Sequence, residues 1–288
     1  AFQSGLEGLC KIQRSCTRRA HAVDQCRHIT GSQHSTENIA ILDRRHAQQF
    51  VPFSTEHTSK LMQRKNKIVK QLTSGIGFLF KKNKVTGVFA EAKIISSNQI
   101  NLKLADDTEK VIEADNIVIA TGSSSAALPG IEINEKNIVS STGALSLEKV
   151  PENLVIIGGG YIGLELGSVW SRLGSKVTVI EYLDRIAPGL DGELSSQFEK
   201  ILKKQGINFM LGSKVLGTKE GSNGIEVNIE NVSTSEVSSI NTDVVLVSTG
   251  RVPNTNGLFD SSLGIKLTEK GFIKTDKNYR KDTDSYTH

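Results

Sequence analysis

Gly158, Gly160 and Gly163 stand in the order G-x-G-x-x-G within "LVIIGGGYIGLELGSVW", Leu154 to Trp170. An apolar run leads into them and a run of different period leads out. Between a strand and a helix, such a loop has a definite chemistry. The first glycine permits a tight turn, the second lets backbone approach a pyrophosphate, and the third lets helix and strand pack closely. The amides at the helix N-terminus then face the anion. An acidic side chain about twenty residues on would bond ribose hydroxyls. Glu181 lies 18 residues after Gly163. Its carboxylate would repel a 2′-phosphate, and the nearest cation along the chain is Arg185, four residues further. The pattern favours NAD over NADP.

The remaining reactive side chains crowd the start of the chain. Cys10, Cys16 and Cys26, with five of the six histidines, lie in the first 57 residues, spaced C-x5-C-x4-H-x4-C-x-H. No C-x2-C pair is present, and this is not a zinc pattern. No metal is expected. Three cysteines make no disulfide framework and fit a reducing compartment.

Four segments would have to position these residues. Residues 1–55 show neither helical nor strand periodicity and stay unassigned. From Glu56, Leu61, Ile68, Leu72, Ile76 and Leu79 predict an amphipathic helix ending near "KKNK". Short β-type runs follow at Val85–Phe89, Ile94–Ile95 and Ile100–Leu104, with turns at Asn98 and Asp106–Asp107. "IVIATG" reads as a buried strand meeting a glycine. Pro129, Gly130 and Pro151 bracket a linker. At Leu154 a βαβ pattern begins. Its first helix is predicted to bury Ile162, Leu166, Val169 and Leu173, with Gly174 as cap. Strand "KVTVIE" comes next. A second helix carries Leu194, Phe198 and Ile201 and stops at "KKQG", before strand "INFML". This alternation predicts an α/β fold with a parallel sheet covered on both faces.

Two stretches repeat in register, "DNIVIATG" (Asp115–Gly122) and "DVVLVSTG" (Asp243–Gly250). The repetition suggests two related nucleotide domains. The second copy has its glycine loop upstream. The first has none.

Composition excludes some partners. A net charge of +4 over 288 residues and 5% aromatics give no case for nucleic acid. No apolar stretch is long enough to span a membrane. The first residues lack a secretory core; their Arg and Ser suit a transit peptide, while their Asp and Glu do not.

The segments "IVSSTGALSL" (Ile138–Leu147), "GGGYIGLELGSVWSRLG" (Gly158–Gly174), "VTVIEYLDRI" and "STGRVPNT" (Ser248–Thr255) resemble the flavin-dependent pyridine nucleotide disulfide oxidoreductases. "SSTGAL" and "ELGSVW" point within them to the dihydrolipoyl dehydrogenase branch. The resemblance covers about residues 57 to 280. It implies a Rossmann-like NAD-binding domain inserted in a partial FAD-binding domain. By that likeness residues 56–150 are FAD-domain, 151–275 NAD-domain, and 276–288 a return to the first. It implies oxidation of dihydrolipoamide to lipoamide with NAD as acceptor, with FAD between. Implied partners are a lipoyl domain of a 2-oxo acid dehydrogenase complex and a second copy in a homodimer, in bacterial cytoplasm or the mitochondrial matrix. Residue by residue, Gly158, Gly159, Gly160, Tyr161, Ile162, Gly163, Leu164 and Glu165 would hold the NAD pyrophosphate. Glu181 would take the ribose, Val215 the adenine, and Gly250 would approach from the "TGR" turn. Tyr161 resembles the gate over the nicotinamide and Glu165 the acid beside the flavin. Ala92, Thr121, Gly122 and Ser123 would touch FAD.

Departures from that pattern shape the other expectations. The family carries C-x4-C; Cys10 and Cys16 are one residue further apart. Its second FAD motif should follow Tyr279–Arg280, where "KDTDSYTH" stands instead. Its His-Glu base has no match, at His57 or His288. Residues 1–55 and about 281–288 therefore read as a different frame or an unrelated fusion, and the chain as written is expected to be inactive. Two other readings stay open: a non-catalytic NAD-binding chain, and an NADH oxidase or transhydrogenase of the same fold.

Overall fold

The computed structural model describes residues 55–221 and 224–281. Cys10, Cys16, Cys26, His288 and the readings made for residues 1–54 and 282–288 lie outside the described residues. The chain divides into two units, Ala1–Gly87 and Val88–His288.

In the first unit, helix α1 spans Thr55–Lys82, with Glu56 in its first turn and Lys81 and Lys82 in its last. Both ends complement the helix dipole. Lys84, at φ 56°, turns the chain out of the helix at the expected "KKNK". Only the first part of the apolar stripe is covered: Leu61 and Ile68 are half-buried, while Leu72, Ile76 and Leu79 are exposed.

The second unit opens with an antiparallel sheet of β1 (Ala90–Ile94), β2 (Gln99–Leu104) and β3 (Glu109–Glu113). Val85–Phe89 is not a strand. Among the described residues it finds no partner to complete a ladder, and Phe89 is 98% exposed. β3, which the apolar pattern did not mark, forms because β2 offers it a full register from Gln99↔Glu113 to Lys103↔Glu109. "IVIATG" is a second correction. Residues 116–122 carry no strand, and Val118 is 87% exposed. A continuous apolar run reads as the middle of a parallel sheet, but strand structure needs hydrogen-bonded neighbours, and none of the described residues supplies them. After β3 the next strand is β4 (Ser123–Ser125).

The "linker" after Pro129 is also corrected. It holds β5 (Ile138–Val139) and a helical turn, α2 (Ser141–Ala144). Asn134 accepts from the amides of Asn137 and Ile138, and Glu135 from Ser140 and Gly143. These local bonds, invisible to hydrophobic periodicity, bend the chain so that β5 joins the sheet edge.

The central sheet has β6 (Asn153–Ile157), β7 (Lys176–Ile180), β8 (Asn208–Met210) and, after a long excursion, β12 (Val244–Val247). Its order is β5-β12-β6-β7-β8, all parallel. This is the Rossmann-type α/β arrangement the sequence predicted. Helices α3 (Tyr161–Leu173) and α4 (Gly192–Lys204) make the first two crossovers. The excursion forms an antiparallel sheet of β9 (Ser213–Gly221), β10 (Gly224–Asn231) and β11 (Val237–Thr242). β6 alternates as its pleat requires. Val155 and Ile157 cluster with Ile225, Val227 and Ile229 of β10 and with Val245 and Val247 of β12. Ile156 faces α3, meeting it at Gly163 and Gly167. One face of the sheet is thus covered by a helix and the other by a second sheet.

Both helices bury a stripe displaced from the one predicted. α3 buries Gly163, Leu164, Leu166, Gly167 and Trp170, leaving Ile162, Val169 and Leu173 half-buried. The glycines let the helix approach the strand, so they occupy the contact line. α4 buries Ser195 and Leu202, while Leu194 and Ile201 are 57% and 52% exposed. The Ser195 hydroxyl donates to the Ile186 carbonyl at 2.5 Å, and this fixes the helix one residue round from its apolar stripe.

Candidate nucleotide site

β6 and β12 are parallel neighbours; β6 runs on into α3, and β12 runs on toward Arg251 and away from the sheet. The crevice beyond their carboxyl ends is a topological switch point, where open α/β sheets bind ligands. Two loops meet there, Gly158–Gly160 after β6 and Ser248–Gly250 after β12.

Each glycine does something different. Gly158 sits at φ 107°, and a Cβ there would lie 2.6 Å from the Ser248 carbonyl oxygen. A Cβ on Gly163 would strike the Gly158 carbonyl and lie 2.6 Å from Ser248 Oγ. Ser248 is wedged between them, its hydroxyl donating to the Ile157 and Gly158 carbonyls at 3.1 Å each. A Cβ on Gly160 would meet nothing within 4 Å. Gly160 is the N-cap of α3 and makes no side-chain capping bond. The first amides of a helix have no intrahelical partner, so this end offers donors and the positive pole of the dipole to an open space.

Glu181 directly follows β7 and is 9% exposed. Its carboxylate accepts from the Gly159 amide at 2.5 Å and the Leu183 amide at 2.9 Å. An ionised carboxylate has about four acceptor positions, so two amides leave capacity for a ribose hydroxyl. Glu181 therefore braces the glycine loop as well as facing the cavity.

That cavity has a volume of about 890 Å³, within the range of small-molecule sites, roughly 300–1,000 Å³. Of the expected NAD residues, it brings together Gly158, Gly160, Tyr161, Ile162, Glu181, Val215 and Gly250. Gly159 lies behind it, tied to Glu181. Gly163 and Leu164 do not line it; both are buried, Gly163 against Ile156 of β6. Glu165 is exposed on α3 and also outside the lining. Tyr161 is 69% exposed at the rim.

Several lining residues escaped the sequence reading. Ser248, Thr249 and Arg251 flank Gly250 and were within reach of its motif. Lys214, next to Val215, carries no motif signal; it adds a cation to the lining that includes Glu181. Arg185, the nearest cation along the chain to Glu181, donates to the Pro188 carbonyl at 3.1 Å and is not in the lining. Leu128 and Pro129 gave no signal, because only the bend before β5 brings them near.

The expected FAD residues stand apart from this cavity. Ala92 is exposed on β1. Thr121, Gly122 and Ser123 lead into β4, which pairs antiparallel with β13 (Arg251–Pro253). Asn254 donates to the Thr121 carbonyl at 3.0 Å and accepts from Ser124 Oγ at 2.7 Å. Arg251 Nε donates to Ser123 Oγ at 2.7 Å, and its Nη2 donates to the Ser123 carbonyl. The two Thr-Gly turns of the internal repeat thus enter the two strands of one antiparallel ribbon, at its opposite ends.

The profile of the family "pyridine nucleotide-disulphide oxidoreductase" matches residues 10–285. The chain belongs to that family. The match takes in much of the segment that periodicity left unassigned. Dihydrolipoamide dehydrogenase of Chaetomium thermophilum is 48% identical over 222 residues, covering 77% of this chain and 44% of that protein. The mitochondrial dihydrolipoyl dehydrogenase of Canis lupus familiaris is 48% identical over 223 residues, with the same shares. Mitochondrial dihydrolipoyl dehydrogenase 1 of Arabidopsis thaliana is 47% identical over 213 residues, covering 74% and 42%. The chain thus spans less than half the length of these relatives. Among solved structures, the Cu(II) complex of the HOCl-induced flavoprotein disulfide reductase RclA from Escherichia coli superposes with a TM-score of 0.70 at 27% identity, over 80% of this chain and 52% of that one. LpdA of Mycobacterium tuberculosis shares the fold, with a TM-score of 0.71 at 22% identity over 78% and 49%.

Proposed function

We propose that this oxidoreductase chain supplies the NAD-binding part of a flavoprotein that oxidises dihydrolipoamide to lipoamide with NAD as acceptor. The observation that carries the reading is the cavity at the β6/β12 switch point. An uncapped helix N-terminus, an unobstructed Gly160 and a carboxylate at the end of β7 all face it. The dihydrolipoyl dehydrogenase relatives support the substrate.

In this reading Gly158, Gly160 and the first amides of α3 hold the pyrophosphate. Glu181 orients the adenosine ribose and Val215 lines the adenine end. Gly250 lets backbone come close to the nicotinamide end, and Tyr161 covers it. Thr121, Gly122, Ser123 and Ala92 contact FAD, and Glu165 stands on the flavin side of α3. The flavin and nicotinamide, when bound, supply the hydride chemistry; the protein binds, orients and excludes water. Residues 56–150 and 276–288 belong to the FAD domain and 151–275 to the NAD domain. Partners are a lipoyl domain of a 2-oxo acid dehydrogenase complex and a second copy. Relatives named as mitochondrial support the matrix over bacterial cytoplasm.

A second reading, NAD binding without turnover, draws on the Cys10–Cys16 spacing, one residue longer than the family's C-x4-C. One experiment addresses both. NAD and NADP are titrated into the chain calorimetrically, and dihydrolipoamide is then added with FAD and NAD. Saturable NAD binding, with NADP at least about tenfold weaker, supports the site. Turnover supports the first reading; binding without turnover supports the second. No NAD binding overturns both.

A further inference from the structure

Arg251 stands in two places at once. It lines the cavity beside Gly250, and its guanidinium grips Ser123 on the opposite strand of the β4–β13 ribbon. We propose that Arg251 is a positioning residue that couples occupancy of the cavity to closure of this ribbon over residues 121–126. The inference rests on reading the cavity as a NAD site.

A short chain of contacts links the two. Gly158 packs on the Ser248 carbonyl, and the Ser248 hydroxyl holds the carbonyls of Ile157 and Gly158. Two residues on, the Gly250 carbonyl accepts from the Ala126 amide at 3.0 Å. Arg251 follows directly. Across the ribbon, the Asn254 amide donates to the Gly122 carbonyl at 3.1 Å, and Thr121 Oγ1 donates to the Asn254 carbonyl at 2.8 Å.

The ribbon itself supplies the two states. It has three residue pairs, Arg251↔Ser125, Val252↔Ser124 and Pro253↔Ser123. An isolated two-stranded pairing this short is marginal, so it opens locally. Arg251 uses two of its five N–H donors on Ser123, which leaves three for other acceptors. An anionic ligand that orients the guanidinium favours the closed ribbon. By linkage, closure favours the ligand to the same degree.

Amide hydrogen exchange on the full chain, with and without saturating NAD, tests this. Gly159 reports the glycine loop; Ala126 and Asn254 report the ribbon. In the wild type, NAD should slow exchange at all three, by about fivefold or more at the ribbon. Arg251→Lys keeps the charge but loses the fork. It should retain protection at Gly159 while the NAD-dependent ratio at Ala126 and Asn254 falls below about twofold, with NAD affinity weakened in proportion. Ser123→Ala, which removes an acceptor from the other side, should lower the ribbon ratio in the same direction. If Arg251 only braces the fold, its variant speeds ribbon exchange equally with and without NAD. That unchanged ratio would overturn the proposal. Protection at Gly159 alone in the wild type would overturn the coupling and leave the site standing. Protection nowhere would overturn both.

Discussion

Gly160 and Gly163 lie three positions apart and fail for opposite reasons when given a side chain. Alanine at Gly163 pushes its methyl group into the Gly158 carbonyl and Ser248 Oγ. Overpacking of this kind costs about 1–3 kcal/mol, and denaturant unfolding of Gly163→Ala should show it. Gly160→Ala meets nothing within 4 Å and sits at a helical N-cap with ordinary backbone angles. Its stability should stay within about 1 kcal/mol of the wild type, while NAD binding weakens at least about tenfold because the methyl group occupies the approach to the helix amides. Calorimetry on a variant shown to be folded separates the two roles. Both glycines and Glu181 were legible in the sequence because spacing alone fixes them relative to the turn. Lys214 was harder: it belongs to no motif, and only the sheet order brings β9 to the cavity. Arg185, which the spacing set apart from Glu181, is outside the lining and bonded to Pro188.

The elements of the βαβ unit were predicted with their right type, but their buried faces were each displaced. Hydrophobic periodicity weights Leu194 and Ile201 and ignores Ser195, although Ser195 is fully buried and bonded to Ile186. Ser195→Ala leaves that buried carbonyl without its partner and should cost about 1–3 kcal/mol. Leu194→Ala, on the exposed face, should change stability by less than about 1 kcal/mol. Thermal or urea unfolding of the pair decides which stripe holds α4. A local charge effect is also readable between β2 and β3. The Thr108 hydroxyl, then its amide, hold the Asp106 carboxyl below its ordinary value of 3.8. A depressed carboxyl contributes stability above its unfolded pKa and loses it as the pH falls through the folded one. Thr108→Val should return the Asp106 titration, followed by NMR, toward 3.8. "IVIATG" shows the limit of reading elements singly. Its composition suits a buried strand, yet burial is conferred by neighbours, and the described residues give it none.

For the molecule as a whole, the core reaches further upstream than the prolines suggested. Ile131 and Ile138 are 6% and 5% exposed and belong to the cluster that holds Val155, Ile225 and Val245. A protease-resistant fragment should therefore begin upstream of Ile131, within the exposed stretch before it, and should retain Val247. N-terminal sequencing of a limited digest checks this; a fragment beginning near Pro151 would contradict it. The β4–β13 ribbon has a separate consequence. On either side of the segment that carries the central sheet, the backbone lies in register, Ser125 opposite Arg251, only about 5 Å apart. A body whose two ends touch can be lifted out of its host. A short linker from residue 250 back to 126 would close the segment into a ring, which could be cut anew at any surface turn or transplanted into another chain without stretching either.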